Sequence, residues 1–312
     1  MYTPNHIPDQ PLVSIAMCTY NGATSINAQM DSIIQQTYRH LEIVIVDDCS
    51  ADNTPELIQA YQERDDRIRF YRNDKNLGYN KNFEKACLLT TGNYIAISDQ
   101  DDIWDLNKIE VMMAKWDKES VFVYSISKDF FGDAPLEGDG TKPIRYYEGS
   151  MPEKLAFDSP IHGHACMFQR SLLKAALPFP DTTYYDWWLS MIASATDKVS
   201  CIKETLTHHR IRAGNSSRTL LDIKEKDERI EKVRRQCITH MEAFLSQPAG
   251  SIATRTILAK YILLLRRKKS NGFSWPLFSF FFTHRNIVFH YKRRQNVFSL
   301  LKNSFKKSFT GL

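Results

Sequence analysis

Three apolar runs near the start of the chain each end in polar or acidic residues, and this pattern constrains the fold more than any other feature. The runs are LVSIAMC (12–18), LEIVIV (41–46) and YIAIS (94–98), followed by TYNG, DDCS and DQDD respectively. Unbroken apolar runs of this length are typical of strands that are buried on both faces of a parallel sheet. Helical patterns and a shorter strand at 68–71 lie between them. The alternation predicts an α/β fold, a mostly parallel sheet flanked by helices.

The polar tips of these strands are expected to meet in one crevice, because ligands of such sheets bind beyond the carboxyl ends of the strands. Asp99 and Asp101 are spaced i, i+2 after a strand and should project to the same side. Carboxylates crowded at one edge repel one another unless a cation or hydrogen-bond donors neutralise them. Mg²⁺ favours one or two carboxylates together with substrate phosphates. The DQDD segment therefore predicts a site for Mg²⁺ or Mn²⁺, although strand-end aspartates also cap helices.

The composition is that of a globular protein with an uneven distribution of charge. Of 312 residues 43% are hydrophobic, which excludes collagen-like, low-complexity and wholly disordered chains. After Glu242 there are 13 Lys and Arg and no Asp or Glu, whereas the preceding part carries an acidic excess. The basic C-terminal region indicates an anionic partner, either a membrane surface or a nucleic acid.

The cellular compartment is predicted from absent signals. No apolar stretch approaches the roughly 18 residues of a spanning helix, and the N-terminus lacks the order of a secretory signal. The six cysteines form no CxxC pair, which favours a reducing cytosol over a disulfide framework or a zinc site.

Further along, the pattern predicts two regions, 1–218 and 219–312. In the first we expect a helix over 106–116, a strand over 121–126, a loop excursion over 128–160, and buried structure at 163–168 (GHACMF). An apolar helix should begin at Asp186. The second region is expected to be helical, since residues 221–242 carry charges at helical spacing.

Taken in order, several segments resemble the inverting family-two glycosyltransferases of GT-A fold, over roughly residues 12–215. They are VSIAMCTYNG, VIVDDCSADNT, NLGYNKNFEKA, ISDQDDIW, GHACMFQRSLL and YYDWWLSMIAS. A narrower likeness is to bacterial rhamnosyltransferases of cell-surface polysaccharide assembly. The resemblance implies a Rossmann-like GT-A domain with a helical, basic C-terminal extension.

The resemblance also implies how a nucleotide donor is held. Cys18 and Tyr20 would lie against the base, and Asp48 would accept a hydrogen bond from the imide N–H of a pyrimidine. Asp99 would lie near the ribose. The diphosphate would be held through a metal bound by Asp101, with Asp102 as an alternative ligand.

Asp186 matches the general base of the family, which takes the proton of the acceptor hydroxyl as that hydroxyl attacks C1 of the donor sugar. A helix N-cap is the simpler role for the same position. The resemblance thus implies a single in-line displacement with inversion, in which a cation stabilises the leaving nucleoside diphosphate.

Three further positions are matched on the diphosphate or acceptor side. His164 would line the acceptor side of the sugar, or be a hydrogen-bonded structural residue. In HHRIRAGNSS the family pattern places His209 at a Tyr, Arg210 at an Arg and Arg212 at a His. Arginine suits a diphosphate but cannot ligate a metal.

The expected function is transfer of a sugar, with rhamnose from a dTDP donor as first choice, to a lipid-linked glycan of O-antigen or capsule type. Transfer from a UDP-hexose or UDP-N-acetylhexosamine, and a non-catalytic nucleotide- or glycan-binding module, remain open. The basic aromatic tail is expected to hold the protein on the inner face of the membrane. The alternatives for the tail are packing on the catalytic body or nucleic-acid binding, against which the acidic body argues.

Overall fold

The structure is a computed structural model that describes residues 10–132, 135, 145–211, 225–268, 272–291 and 296–312. Within these residues the chain forms one mixed sheet of eight strands in the order β3-β2-β1-β4-β7-β6-β8-β5. The strands are β1 Val13–Thr19, β2 Leu41–Asp47, β3 Ile68–Arg72, β4 Tyr94–Ser98, β5 Ile103–Trp104, β6 Ser120–Phe130, β7 Cys166–Gln169 and β8 Lys198–Arg210. Strands β1 to β4 are parallel to one another, while β7 runs antiparallel to its neighbours β4 and β6. The predicted α/β fold with a mostly parallel sheet is confirmed.

Helices cover both faces of the sheet and continue into the C-terminal region. Those of the first region are α1 Ile26–Ile34, α2 Thr54–Gln62, α3 Tyr79–Leu89, α4 Lys108–Ala114, α5 Pro152–Phe157, α6 Leu173–Ala176 and α7 Tyr185–Thr196. Those of the second are α8 Lys226–Leu245, α9 Ile252–Arg267, α10 Trp275–Thr283, α11 Arg285–Val288 and α12 Val297–Thr310. A short 3-10 turn, Gly163–Ala165, precedes β7. The C-terminal region is helical where it is described, as the sequence predicts.

The central strands are buried on both faces, which is why their sequences are unbroken apolar runs. In β1, Ile15 and Met17 contribute to one hydrophobic cluster, and Ala16 and Cys18 contribute to another on the opposite face. A strand whose residues are all buried has no polar face, so its first polar residues fall at its end. The geometry of the sheet thereby places the polar chemistry at the strand tips.

The C-terminal helices share the hydrophobic cluster that contains Ala16. Met241 and Phe244 of α8, Tyr261 of α9 and Phe281 of α10 are all buried in it. Packing on the catalytic body, the alternative for the tail, is therefore present for Tyr261 and Phe281. Among the described residues no helix combines the length and apolarity that crossing a bilayer requires.

The structure departs from the predicted elements in three places. The helix expected over 106–116 is shorter, and part of the expected loop over 128–160 is ordered as the end of β6 and as α5. Strand β8 was not predicted, because exposed Lys203 and half-buried Glu204 interrupt its apolar residues. The predicted region boundary at 218 lies outside the described residues.

Candidate active site

The tips of β1 and β2 are joined through Asp47, which is fully buried. Its Oδ1 accepts a hydrogen bond of 2.9 Å from Thr19 Oγ1, and its Oδ2 accepts one of 2.9 Å from the Ser50 backbone N–H. Just beyond these tips, Asn21 and Cys49 have positive φ angles of 49° and 65°. Non-glycine residues rarely adopt this conformation outside sites where the surrounding contacts enforce it. The two turns are therefore closely defined by their contacts.

Asp48 organises the loop that leads into α3. Its Oδ1 accepts from Asn73 Nδ2 at 2.7 Å and from the Leu77 N–H at 2.8 Å, and its Oδ2 accepts from the Gly78 N–H at 2.9 Å. Gly78 has a φ of 82°, a conformation that favours glycine. An ionised carboxylate offers about four acceptor positions. Three donors from the protein thus leave acceptor capacity on Asp48 for a ligand.

Gln100 fixes the turn after β1 to the end of β4, and sequence reasoning did not single it out. Its Oε1 accepts from the Tyr20 N–H at 2.8 Å, and its Nε2 donates to the Tyr20 carbonyl at 3.0 Å. The side chain of Tyr20 is 48% exposed. A Cβ at Gly22 would overlap the amide of Gln100, so glycine at this position lets Gln100 keep both hydrogen bonds to Tyr20. The predicted meeting of the strand tips is confirmed by these contacts.

Cys18, predicted to lie against a base, is 9% exposed and belongs to a hydrophobic cluster. Burial raises the pKa of its thiol well above the usual range, and the nearby carboxylates of Asp99 and Asp48 add to this effect. The thiol of Cys18 is therefore neutral and can contribute van der Waals contact, but no charge, to the crevice.

A carboxylate and two imidazoles come together from the segment after β4, the 3-10 turn before β7 and the end of β8. Ligand atoms of Asp102, His164 and His209 lie within 4.8 Å of one another. His164 Nδ1 is 3.4 Å from Asp102 Oδ2 and 3.6 Å from an oxygen of Asp99, and the rings of His164 and His209 stack at 4.6 Å. Asp102 is fully buried, whereas Asp99 is 36% exposed at its side chain. The pairing of β5 with β8, Ile103 opposite His208, brings these distant segments together.

Burial and the neighbouring charges shift the pKa values of the residues in this cluster. Burial raises the pKa of Asp102, and the Asp99 carboxylate raises it further while His164 opposes the change. Burial alone would lower the pKa of His164, but Asp102 and Asp99 outweigh it and raise that pKa. For neighbouring His162, burial and the charges of His164 and His209 outweigh the carboxylates of Asp129 and Asp99 and lower its pKa to about 4.

The cluster has a donor set that fits a divalent metal. Asp102 Oδ2 and His164 Nε2 are buried and make no hydrogen bond to the described residues. Buried polar atoms usually have a hydrogen-bond partner, so His164 Nε2 could bind a ligand, and so could Asp102 Oδ2, which has only the 3.4 Å contact with His164 Nδ1. His209 Nδ1 lies 3.1 Å from Asp129 Oδ1, a carboxylate contact that orients many metal-binding histidines. Two imidazoles and one carboxylate suit Mn²⁺ better than Mg²⁺, which prefers oxygen ligands.

Asp101, predicted as the metal ligand with Asp102 as alternative, is half-buried. Its backbone oxygen accepts from Arg210 Nε at 2.9 Å. The structure thus brings Asp102, rather than Asp101, to the two histidines. His209 was aligned with a tyrosine of the family pattern, and nothing in its local sequence marked it as a ligand.

Arg210, predicted on the diphosphate side, is 4% exposed, and its guanidinium lies over the ring of Phe130 at 4.7 Å. Its guanidinium donates to the backbone oxygens of Asp101 and Gly132. Its backbone N–H donates to Asp102 Oδ1 at 3.1 Å. These contacts hold Asp101 and Asp102 of the DQDD segment in position. Arg212, predicted to contact the diphosphate, lies outside the described residues.

Asp186 is in the first turn of α7, where its carboxylate ties the helix to the turn that carries His164. Its Oδ1 accepts from the Trp187 N–H at 2.7 Å, and its Oδ2 accepts from the Gly163 N–H at 3.2 Å. Burial raises the pKa of Asp186, and the Asp99 carboxylate contributes to the rise although both hydrogen bonds oppose it. A Cβ at Gly163 would overlap the ring of Tyr185, so the turn can approach α7 only with glycine at this position.

Lys108 lies beneath the cluster with its side chain completely buried, and sequence reasoning missed it. Its Nζ donates to the backbone oxygen of His164 at 2.7 Å and lies 3.4 Å above the ring of Trp104. Burial lowers the pKa of Lys108 to about 7, against the opposing effect of Asp102. A lysine in the first turn of a helix ordinarily faces solvent, so the sequence contains no signal for this position.

The solved structures similar to this chain define its fold class. S. aureus TarS in complex with UDP-GlcNAc superposes with a TM-score of 0.61 at 18% identity, covering 96% of this chain and 82% of that one. The mannosyltransferase PcManGT from Pyrobaculum calidifontis, in complex with GDP-Man and Mn²⁺, gives a TM-score of 0.53 at 18% identity, covering 96% and 88%. The shared architecture is that of GT-A glycosyltransferases. A family profile then identifies the group: residues 14–177 match Glycosyl transferase family 2, and the chain belongs to that family.

Sequence relatives agree with this placement. TuaG of Bacillus subtilis, named a teichuronic acid biosynthesis glycosyltransferase, is 32% identical over 149 residues. The alignment covers 48% of this chain and spans only 56% of TuaG. WfaP of Escherichia coli, named UDP-Glc:alpha-D-GlcNAc-diphosphoundecaprenol beta-1,3-glucosyltransferase, is 29% identical over 210 residues, covering 66% of this chain and 80% of WfaP.

Proposed function

We propose that this protein is an inverting glycosyltransferase that moves a sugar from a nucleoside diphosphate to a lipid-linked glycan of the cell surface. The observation that carries the proposal is the cluster of Asp99, Asp102, His164 and His209 at the strand tips, tied to Asp186 through the Gly163 turn. Membership of the family supports the transferase activity. The names of TuaG and WfaP support the acceptor class.

Donor binding is assigned to the crevice between the tips of β1, β2 and β4. The exposed ring of Tyr20 offers a stacking surface for a base, with Cys18 beneath it. Asp48, with three protein donors on its carboxylate, has acceptor capacity left for the imide N–H of a pyrimidine. Asp99 is the partly exposed carboxylate next to the cluster and is assigned to the ribose.

A divalent metal, when bound, would supply positive charge to the leaving diphosphate. Asp102, His164 and His209 would hold it, and the role of Asp101 as a ligand stays a prediction. Among the candidates, the nitrogen-rich donor set favours Mn²⁺ over Mg²⁺. Arg210 is assigned to fix the aspartate motif, and the diphosphate role of Arg212 stays a prediction.

Asp186 is proposed as the general base. The acceptor hydroxyl gives its proton to the Asp186 carboxylate while its oxygen forms a bond to C1 of the sugar. The bond from C1 to the diphosphate oxygen breaks in the same step, so the configuration at C1 is inverted. A raised pKa suits this role, because a base whose pKa approaches the working pH accepts a proton more readily.

For the donor, we favour a UDP-linked hexose or N-acetylhexosamine. The printed name of WfaP specifies UDP-Glc, and TarS was solved with UDP-GlcNAc. The dTDP-rhamnose donor, favoured from sequence resemblance alone, stays a prediction to be tested beside them. Association with the inner face of the cell membrane follows from a lipid-linked acceptor and from the basic tail.

A thermal-shift panel tests the proposal. UDP, UDP-Glc, UDP-GlcNAc, dTDP-rhamnose and GDP-Man would each be added with MnCl₂, with MgCl₂ or with EDTA. We expect a uridine nucleotide to raise the melting temperature most, and to do so only with a metal. Transfer from the selected donor to a synthetic sugar-diphospholipid is then followed by mass spectrometry. Absence of any stabilisation by nucleotides with either ion would refute the proposal, whereas binding without transfer by the wild type would favour the non-catalytic module.

A further inference from the structure

Helix α12 packs with its residues in an unusual orientation. Leu300, Ser304 and Ser308 face inward and are buried, whereas Phe298 and Phe305 face outward with exposed fractions of 85% and 50%. The outward positions continue with Phe309, which is 37% exposed. A surface helix of a globular protein ordinarily does the reverse and buries its largest apolar side chains. Phe298 is therefore not needed to hold α12 in place, and Phe305 and Phe309 keep much of their surface in solvent.

The outward phenylalanines join a larger aromatic surface. The ring of Phe273 lies 5.0 Å from that of Phe305, 5.6 Å from that of Phe309 and 5.0 Å from that of Trp275. Trp275, at the start of α10, is 71% exposed. We refer to Phe273, Trp275, Phe298, Phe305 and Phe309 as the aromatic face. An exposed apolar patch of this kind marks an interaction site more often than an ordinary surface.

The charges around the aromatic face are all of one sign on the helices that form it. Lys302 and Lys306 are exposed and fall on the same side of α12 as Phe298 and Phe305, at helical spacing. No Asp or Glu occurs after Glu242, so α10 and α12 carry no carboxylate. A partner that complements this surface has an apolar region for the aromatic rings and negative charge for the lysines.

We propose that the aromatic face inserts into the interfacial region of an anionic phospholipid bilayer, with Lys302 and Lys306 on the lipid phosphates. Aromatic rings at the level of the headgroups and cations beside them are the established composition of interfacial helices. A symmetric dimer through the same face would instead place the lysines of one copy beside those of the other. Because Leu300 and the two serines pack α12 on the body, the aromatic face is present in the protein without lipid.

This inference rests on the proposed action on a lipid-linked acceptor, but its test uses no transfer reaction. The full-length protein would be sedimented with vesicles of phosphatidylcholine alone and with vesicles that also contain phosphatidylglycerol. We expect binding to the anionic vesicles, weakened by high salt. The double variant Phe305→Ser/Phe309→Ser should weaken it about tenfold or more. The matched control is Leu88→Ser, which removes an exposed apolar side chain of α3 and should bind as the wild type does.

The electrostatic part is tested separately. Lys302→Glu/Lys306→Glu should lose about tenfold or more in vesicle affinity, whereas Lys118→Glu/Lys174→Glu, at exposed lysines of the first region, should lose much less.

Vesicles should also shift Trp emission to shorter wavelength in the wild type, and this shift should disappear in Trp275→Phe. The fluorescence readout keeps the test valid if a double variant fails to fold.

Two results would overturn the proposal. One is unchanged vesicle binding in Phe305→Ser/Phe309→Ser. The other is wild-type self-association, measured by sedimentation without lipid, that this variant abolishes while its vesicle binding is retained. Nucleotide stabilisation in the thermal-shift panel is independent of either result, so failure of the membrane surface and failure of the transferase assignment are distinguishable.

Discussion

Lys108 Nζ donates a hydrogen bond of 2.7 Å to the backbone oxygen of His164, from a position completely closed to solvent. This bond supports the turn that carries both His164 and the N–H group bound by Asp186. A buried ammonium is costly to maintain unless it is well paired, so a structural core alone would be served better by an apolar residue. We therefore expect Lys108 to position the site.

Replacing Lys108 with Met is expected to keep or raise the melting temperature while lowering kcat/KM by about tenfold or more, since misplaced catalytic groups are costly. In the metal-free protein the variant should also raise the pKa of His164, because Lys108 lowers it in the wild type. NMR titration of the histidines measures this change. Lys115→Met, which removes an exposed lysine paired with Glu204, is the control. Wild-type kinetics and an unmoved His164 titration in Lys108→Met would contradict the positioning role.

The ligand set of the metal is tested by comparing adjacent aspartates. Asp102→Asn and His209→Gln should each weaken Mn²⁺ binding by about 10–100-fold, because each removes a donor of the cluster. Isothermal titration with Mn²⁺ measures this without any reaction. Asp101→Asn serves as the matched comparison and should lose less. Greater loss in Asp101→Asn would restore Asp101 as the main ligand, as the sequence suggested.

Asp186→Asn should retain stabilisation by the nucleotide donor but lose about 10²–10⁴-fold in kcat, the usual contribution of a positioned base. The raised pKa of Asp186 gives a further expectation. Below that pKa the carboxyl is protonated and cannot accept the proton, so kcat should fall with decreasing pH from a value above the normal range of an aspartate. The pH dependence of kcat of the wild type measures this decrease on the acidic side. An Asp186→Asn enzyme with normal turnover would exclude this residue as the base.

The contact of Gly22 with Gln100 can be examined through a double-mutant cycle. Gly22→Ala alone forces a Cβ into the Gln100 amide and should destabilise the protein by about 1–3 kcal/mol. Gln100→Ala removes the obstructing atoms but also both hydrogen bonds to Tyr20, so nucleotide affinity should fall. Because the two residues touch, Gly22→Ala should cost much less in the Gln100→Ala background. Additive free energies of unfolding would show that a Cβ at position 22 does not meet the Gln100 side chain.

His240 of α8 predicts how stability depends on pH. Its ring packs 5.0 Å from that of Trp187, and burial lowers its pKa to about 4. Between its unfolded value near 6.5 and about 4, the unfolded state binds the proton and the folded state does not. Stability from this group is therefore lost as pH falls through that window, by roughly 1–2 kcal/mol at about pH 5. Chemical denaturation of His240→Phe at both ends of the window should show less pH dependence than the wild type.

How much the sequence could predict depends on the range of the interactions. The strands β1, β2 and β4 and the meeting of their tips followed from local apolar runs. The association of Asp102 with His209 could not, because it depends on pairing between β5 and β8, whose partners are about a hundred residues apart in the chain. The buried positions of Lys108 and Arg210 were also hidden, since both residue types usually face solvent.

The burial of Met241, Phe244 and Tyr261 beside the catalytic sheet governs how the tail can be studied. Chains shortened before α8 would leave a large apolar wall of the transferase body in water, directly behind α7 and Asp186. Such fragments would lose activity through misfolding and would say nothing about lipid. The role of the last helices therefore has to be established by point changes on their outer surface in the intact chain.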